Sequence, residues 1–272
     1  MRWAALLWLA VLVPWLHATA APVAEGVRIE GSEGPEHIRA SRPRLALVID
    51  DLGQNPHRDQ RVLQLPGPVA LAILPDTPHA TSLANKANSA GKTVMLHLPM
   101  APAGGPYAWR PGLADEELQR RLDEALQAVP HASGLNNHMG SEMTGRPSAM
   151  LALMNELQRR HLFFLDSRTN ARTVAAASAQ RVGLASLSRD IFLDDDPSPA
   201  AVALQFQRAL ALARQQGSVV IIGHPHPSTL ALLERELPRL EAAGIDWVDI
   251  GQMIATRSNR AMAAHGRNGI YR

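Results

Sequence analysis

From Arg44 onward the chain alternates short apolar runs with amphipathic ones, and this alternation constrains the fold more than any other feature of its 272 residues. Leu45-Ala46-Leu47-Val48-Ile49 opens the series, preceded by Pro43 and closed by Asp50-Asp51-Leu52-Gly53. An aliphatic run of this length with no polar alternation suits a strand covered on both faces, the condition of a parallel sheet. Further strands are expected at residues 69–74, 93–98, 133–137, 162–165, 219–222 and 247–250, with a weak pair at 184–187 and 191–193. Between them lie helices. Over 115–129 the apolar residues Leu118, Leu122, Ala125, Leu126 and Val129 share one face, and Asp115 is placed to cap it. Pro147 suits a first turn, and Met150, Leu153, Met154 and Leu157 form the stripe that follows. Segments 198–216 and 228–243 each end at a glycine, Gly217 and Gly244, suited to stopping a helix. So many strand and helix units predict a parallel sheet closed, or nearly closed, into a distorted (β/α) barrel of about seven strands. The weak sixth unit marks the distortion.

The amino end reads as a secretory signal peptide over residues 1–20. Arg2 precedes an apolar run from Ala4 to Leu16, and Ala18-Thr19-Ala20 supplies a small-residue cleavage site. The run is short for a membrane span, so the expectation is a periplasmic or secreted chain with no stable span after cleavage. Residues 21–42 read as a polar linker, 43–257 as the barrel domain and 258–272 as a disordered tail. The chain has no cysteine, which excludes thiolate chemistry and leaves its stability to the core and any bound metal. A formal net charge of +2 with scattered basic residues gives no footprint for nucleic acid, and no nucleic-acid partner is expected.

The polar residues at the strand ends carry the chemistry. Asp50-Asp51 closes the first strand, and His97 lies in Leu96-His97-Leu98-Pro99 at the end of the third. The fourth runs into Asn136-Asn137-His138-Met139-Gly140, the fifth into Asp166-Ser167-Arg168, and a late strand into Gly223-His224-Pro225-His226. Each alone has an ordinary structural reading as a turn, a cap or a satisfied core histidine. Together they put His, Asp or Asn at the carboxyl end of five strands, where barrel enzymes build their sites. Side chains alternate along a strand, so Asp50 and Asp51 are expected on opposite sides of the backbone, one free to bind a cation and the other a proton. One carboxylate with two or three imidazoles and no thiols describes a site for a single divalent metal, with zinc the leading ion. With a carboxylate base and a histidine acid beside it, this is the inventory of an amide or ester hydrolase. Aromatic residues make up only 4% of the chain, and Tyr107 and Trp109 are the candidates for stacking on a sugar.

The ordered segments Ile-Asp-Asp-x-Gly, His-Leu-Pro-Met, Gly-x-Asn-Asn-His-Met-Gly-Ser, Phe-Phe-x-Asp-Ser and Gly-His-Pro resemble those of the divergent polysaccharide deacetylase family, over about residues 44–257. The resemblance implies a distorted (β/α) barrel that holds a divalent metal and removes acetyl groups from a cell-envelope polysaccharide. It implies Asp50 as the base, Asp51 as a metal ligand and His224 as the acid. The wider superfamily takes two histidine ligands four residues apart; Ala101 stands four after His97 here, and His138 replaces the second, giving Asp51, His97 and His138. The arginine usual near the fourth strand has no counterpart beside Asn136-Asn137, and Arg168 is the candidate substitute. Asn136, Asn137, Asp166 and Arg168 complete the set as substrate-binding candidates. For His224 the competing assignment is a third histidine ligand, with His226 close enough to share its role. The expected partner is a glycan substrate, with a cell-wall enzyme as candidate protein partner. The rival from another class is a catalytically weak or inactive glycan-binding or regulatory protein of the envelope that keeps the metal site. A third reading is a metal-dependent hydrolase with a non-sugar substrate.

Overall fold

A computed structural model describes residues 42–268. The signal peptide and most of the linker expected from the sequence lie outside the described residues. Among those described, no helix is long and apolar enough to cross a membrane.

The chain alternates β1 (Arg44–Leu52), α1 (Pro56–Gln64), β2 (Val69–Ile73), α2 (Ala80–Ser89), β3 (Thr93–Met100), α3 (Asp115–Ala128), β4 (Ala132–Met139), α4 (Pro147–Arg159) and β5 (Phe163–Asp166). It continues through α5 (Ala175–Arg181), β6 (Ser186–Ser188), β7 (Ile191–Phe192), α6 (Pro199–Gln216), β8 (Ser218–Gly223), α7 (Pro227–Glu236), β9 (Asp246–Trp247) and α8 (Ile250–Asn268). The strands pair in parallel in the order β6-β5-β4-β3-β2-β1-β8-β7, with short β9 added beside β1. The two ends of that order, β6 and β7, are joined by Arg189-Asp190 alone. The amide of Arg189 donates to Asp166 O at 3.0 Å and that of Asp190 to Val220 O at 2.9 Å, so the link bridges one side of the sheet to the other. The distortion expected of the sixth unit is this link, with two strands of only two and three residues.

Parity along β1 separates two layers of core. Leu45, Leu47 and Ile49 pack outward with the helices, whereas Ala46 and Val48 point inward with Ala70, Ala72, Met95, Leu165, Val220 and Ile222. Ile250 and Met253 of α8 join the inner cluster. Small residues dominate the inner layer of β1 and β2, as the narrow interior of a barrel requires.

Four sequence expectations need correction. Asp115 is the first residue of α3 rather than its cap, which is Ala114; the acidic first turn Asp115-Glu116-Glu117 instead complements the helix dipole. The helix expected over 228–243 stops at Glu236, because Pro238 cannot continue it, and a short 3₁₀ turn, Leu237–Arg239, follows. Of the strand expected at 247–250 only Trp247 pairs, because Asp249 turns the chain into α8 by accepting from Gln252 N at 2.8 Å. Ser258 and the residues after it, expected to be disordered, continue α8 as far as Asn268. Arg257 binds Asp190, and Arg260 donates to Gln216 O at 2.7 Å, fixing that helix to the barrel.

Candidate active site

The same parity that packs the barrel interior assembles the site. Two residues beyond the last inward apolar side chain of each strand stands a polar one: Asp50 after Val48, His97 after Met95, Ser167 after Leu165 and His224 after Ile222. On β4 the inward positions are Gly134, Asn136 and His138. The parallel register sets His97 beside Asn136 and Pro99 beside His138. The polar layer therefore sits directly on the apolar one, at the carboxyl ends of five strands.

Asp51 breaks the alternation. Its φ of 57° is left-handed, and the register of β1 against β2 shifts between Ile49 and Leu52. The expectation that Asp50 and Asp51 part to opposite sides is thereby corrected: the kink returns Asp51 to the cleft, where both carboxylates approach His97. They still meet different surroundings, since Asp50 is 1% exposed whereas the Asp51 side chain is 37% exposed. Left-handed backbone costs a non-glycine residue about 1–3 kcal/mol, and such strain gathers at functional sites. Gly53, at φ 101°, completes the turn; a Cβ there would overlap the Thr77 hydroxyl.

Asp51 Oδ1, His97 Nε2 and His138 Nδ1 converge on one point. Their separations are 3.2 Å from Asp51 to His97, 2.9 Å from Asp51 to His138 and 3.2 Å between the two imidazoles. Asp51 Oδ1 is buried yet has no partner in hydrogen-bonding geometry. The spacing is close to the edge of a tetrahedron about a zinc-sized ion, about 3.3 Å for bonds of about 2.0–2.1 Å. Burial raises the Asp51 carboxyl, but the adjacent imidazoles of His138 and His97 outweigh it and hold the group well below the usual carboxylate range.

Asn136 fixes the proton on His97. Its Nδ2 donates to Asp50 Oδ1 at 2.8 Å and to Ser167 Oγ at 3.2 Å, which leaves Oδ1 facing His97 Nδ1 at 2.8 Å. An acceptor there requires the proton on Nδ1, so Nε2 presents its lone pair to the triad. Asp50 is held by the same amide. Burial raises its pKa, against the lowering effect of His97, His224 and the Asn136 hydrogen bond.

Across the cleft, His224 Nε2 lies 4.0 Å from Asp51 Oδ2. Its Nδ1 is 2.8 Å from Asp194 Oδ1, while Asp194 Oδ2 accepts from His224 N and Thr229 Oγ1, each at 2.7 Å. Burial lowers the imidazole, but the Asp194 hydrogen bond and the charges of Asp50, Asp194 and Asp51 push it up to about 9. His224 thus stands with Asp194, apart from the three converging donors, and the His226 ring lies 5.9 Å from its own. Beside Asp51 and His224 opens a cavity of about 210 Å³, walled by Gln54, Asn55, Arg58 and His226. A larger cavity of about 740 Å³, lined by Arg44 and Trp247, lies at the opposite end of β1, away from every residue above.

The other sequence candidates fall into the supporting rim. Asn137 Oδ1 accepts from Ser167 N at 3.0 Å and its Nδ2 donates to Met139 O at 2.7 Å. Asp166 accepts from Arg168 N and from Thr173 Oγ1, so both its oxygens serve its own loop. Arg168 is exposed, with a left-handed φ of 51°. Trp109 is 1% exposed and belongs to the core, which removes it as a stacking surface; Tyr107 is half-buried against the same core. Sequence reading missed Asp194 and Arg189. Asp194 stands two residues past Phe192 of β7 as Asp50 stands two past Val48 of β1, but a two-residue strand gives too little pattern to mark its carboxyl end.

The sequence profile of the family described as divergent polysaccharide deacetylase matches residues 47–254. The uncharacterized protein YibQ of Escherichia coli (strain K12) is 43% identical over 196 residues, which cover 71% of this chain and 61% of that protein. The chain thus matches less than two thirds of that relative's length. Among solved structures, the uncharacterized protein ATU2773 from Agrobacterium tumefaciens C58 gives a TM-score of 0.75 at 20% identity, over 79% of this chain and 90% of that one. The catalytic domain of the peptidoglycan N-acetylglucosamine deacetylase from Eubacterium rectale ATCC 33656 gives 0.51 at 14% identity, over 78% and 90%. At these identities the structural likeness is one of fold.

Proposed function

The chain belongs to the divergent polysaccharide deacetylase family, and from that premise we propose that it is an exported, metal-dependent hydrolase that removes acetyl groups from a cell-envelope polysaccharide. The observation that carries the reading is the convergence of Asp51 Oδ1, His97 Nε2 and His138 Nδ1 within 3.2 Å of one another. The apolar leader before residue 21 supports export.

Asp51, His97 and His138 would hold the ion, and one carboxylate with two imidazoles suits zinc. The orphaned Asp51 oxygen and the fixed His97 tautomer both fit such an occupant. Bound there, a divalent cation would supply Lewis-acid polarisation of an acyl carbonyl and would make a nearby water easier to deprotonate. The chain's own groups do the proton work. Asp50, buried and held by Asn136, takes a proton from the attacking water. Its raised pKa makes it a better base than a solvated carboxylate. His224, protonated at neutral pH because Asp194 faces its Nδ1, delivers a proton from Nε2 to the leaving amine or alcohol. Asp194 keeps that ring in one orientation by holding both its Nδ1 and its backbone amide.

Acetate release from peptidoglycan and from chitooligosaccharides, with and without added zinc, tests the reading. Zinc-dependent release from either substrate is the expected result. No release from either, together with tight glycan binding, would point instead to a non-catalytic glycan-binding protein.

A further inference from the structure

Arg189 is a cation built into the rim of the cleft, and among the described residues no carboxylate is in contact with it. It occupies the two-residue link between β6 and β7 and is half-buried. Its Nε donates to Ser167 O at 2.7 Å and its Nη2 to Arg168 O at 3.0 Å. Its guanidinium carbon lies 3.7 Å from the centroid of the Phe192 ring. Phe192 in turn packs against His224, with ring centroids 5.8 Å apart. Arg189 therefore stands one aromatic ring away from the group proposed as the acid.

Among the described residues no carboxylate forms an ion pair with it within 4.0 Å. Asp190 is bound to Arg257, both oxygens of Asp166 are taken by its own loop, and Asp195 is exposed. Burial holds the guanidinium below its ordinary pKa; Asp195 acts in the opposite sense, the nearby Arg168 adds to the lowering, and Asp166 and Asp190 offset part of it from beyond contact distance. Partial burial of a charge carries a cost that an anionic partner would offset. Nη1 makes no hydrogen bond and is not enclosed, so one end of the fork stays open. An arginine held at one edge and over one face has already lost the rotamer freedom that binding would otherwise remove. Beside it Arg168 is exposed and has no ion pair among the described residues.

We infer that Arg189, with Arg168, forms an oxyanion-binding subsite beside His224, and that the glycan bound in this cleft carries a carboxylate or phosphate near its acyl group. The glycan in that statement rests on the deacetylase reading. The geometry is the one arginine uses for planar or tetrahedral oxyanions, with donors fixed and one end free.

The test is calorimetric binding to the metal-loaded full chain, with turnover left out of the readout. Three probes are compared: neutral tetra-N-acetylchitotetraose, the same tetramer phosphorylated on one 6-hydroxyl, and a tetrasaccharide of alternating N-acetylglucosamine and N-acetylmuramic acid, which bears carboxylates. At least one charged probe is expected to bind roughly 10- to 100-fold more tightly than the neutral one at low salt, the range for a charge-assisted contact. That advantage shrinks as salt rises. The charged probe that gains identifies the anion. Arg189→Met should remove the advantage and Arg189→Lys restore only part of it. Because Arg189 also ties two loops together, Arg168→Met, at an exposed side chain, serves as a second variant and should cost part of the same advantage. Equal binding of all three probes, binding of none, or a charged-probe affinity unchanged in both methionine variants would overturn the inference. A chain that releases acetate from neutral and charged glycans but binds them equally would retain the deacetylase reading and lose this one.

Discussion

His224 and Asp194 are tied at two points: imidazole Nδ1 lies 2.8 Å from Oδ1, and the His224 amide donates to Oδ2 at 2.7 Å. The pair sets the pH range in which the proposed acid works. A histidine whose pKa is raised to about 9 keeps its proton through neutrality and loses it as pH rises through that value. Deacetylation should therefore hold up to about pH 9 and fall above it. Asp194→Asn removes the charge while leaving an acceptor, and should move the alkaline limb down toward the ordinary imidazole value of 6.5. His224→Ala should cost about 10²- to 10⁴-fold in turnover, the usual contribution of a general acid, with metal content unchanged. A pH–rate profile of the Asp194→Asn variant that overlays the wild type would remove Asp194 from this role, and a metal-free His224→Ala protein would make His224 a ligand.

His97 and His138 should each be indispensable to metal binding. Replacing either with Ala is expected to abolish stoichiometric zinc and to lower the melting temperature of the zinc-loaded protein. An ion present at 100 times its dissociation constant adds about 2.7 kcal/mol to the folded state, and that increment should disappear. Elemental analysis with thermal unfolding, each with and without chelator, reads both effects. Full zinc content in both variants would contradict the ligand set.

Asn136 touches Asp50, His97 and Ser167 but none of the positions where an ion would sit. Its predicted effect is therefore indirect. Asn136→Leu frees the His97 ring to take the wrong tautomer, and loss of such an orienting partner typically weakens metal affinity about 10- to 100-fold. Competition for zinc against a chromophoric chelator measures this. An affinity within twofold of the wild type would show that packing alone orients His97.

Much of this arrangement was legible in the sequence because two periodicities coincide. Apolar runs such as Leu45 to Ile49 announce the strands, and the polar residue two places beyond the last inward side chain announces the site, as at Asp50, His97 and His224. The rest depended on departures from regularity. Left-handed backbone at Asp51 cancels the alternation that would have sent its carboxylate away, and a pattern of period two cannot foresee that. Asp194 and Arg189 flank β7, where two paired residues carry no periodic signal. Trp109 looked available because its loop is rich in proline and glycine, yet its amide donates to Pro99 O at 2.9 Å and draws the ring into the core.

The turn that aims Asp51 should be sensitive at Gly53. Gly53→Ala imposes a side chain at a φ of 101° and against the Thr77 hydroxyl. A loss of about 1–3 kcal/mol in unfolding free energy is expected, together with weaker zinc binding. Adding Thr77→Ala should relieve the overlap but leave the backbone strain, so the double variant should recover only part of the loss. Denaturant unfolding that finds Gly53→Ala as stable as the wild type would show that the turn relaxes freely.

The central claim, a single ion held by Asp51, His97 and His138 and used for deacetylation, is tested most directly by titrating zinc into the chelator-treated chain while recording acetate release from peptidoglycan. Activity should rise linearly and break at one zinc per chain, and Asp50→Asn should bind zinc with the same stoichiometry yet release acetate at least about 10²-fold more slowly. Acetate release that is independent of zinc, or a saturated zinc site with no release from the wild type, would contradict it.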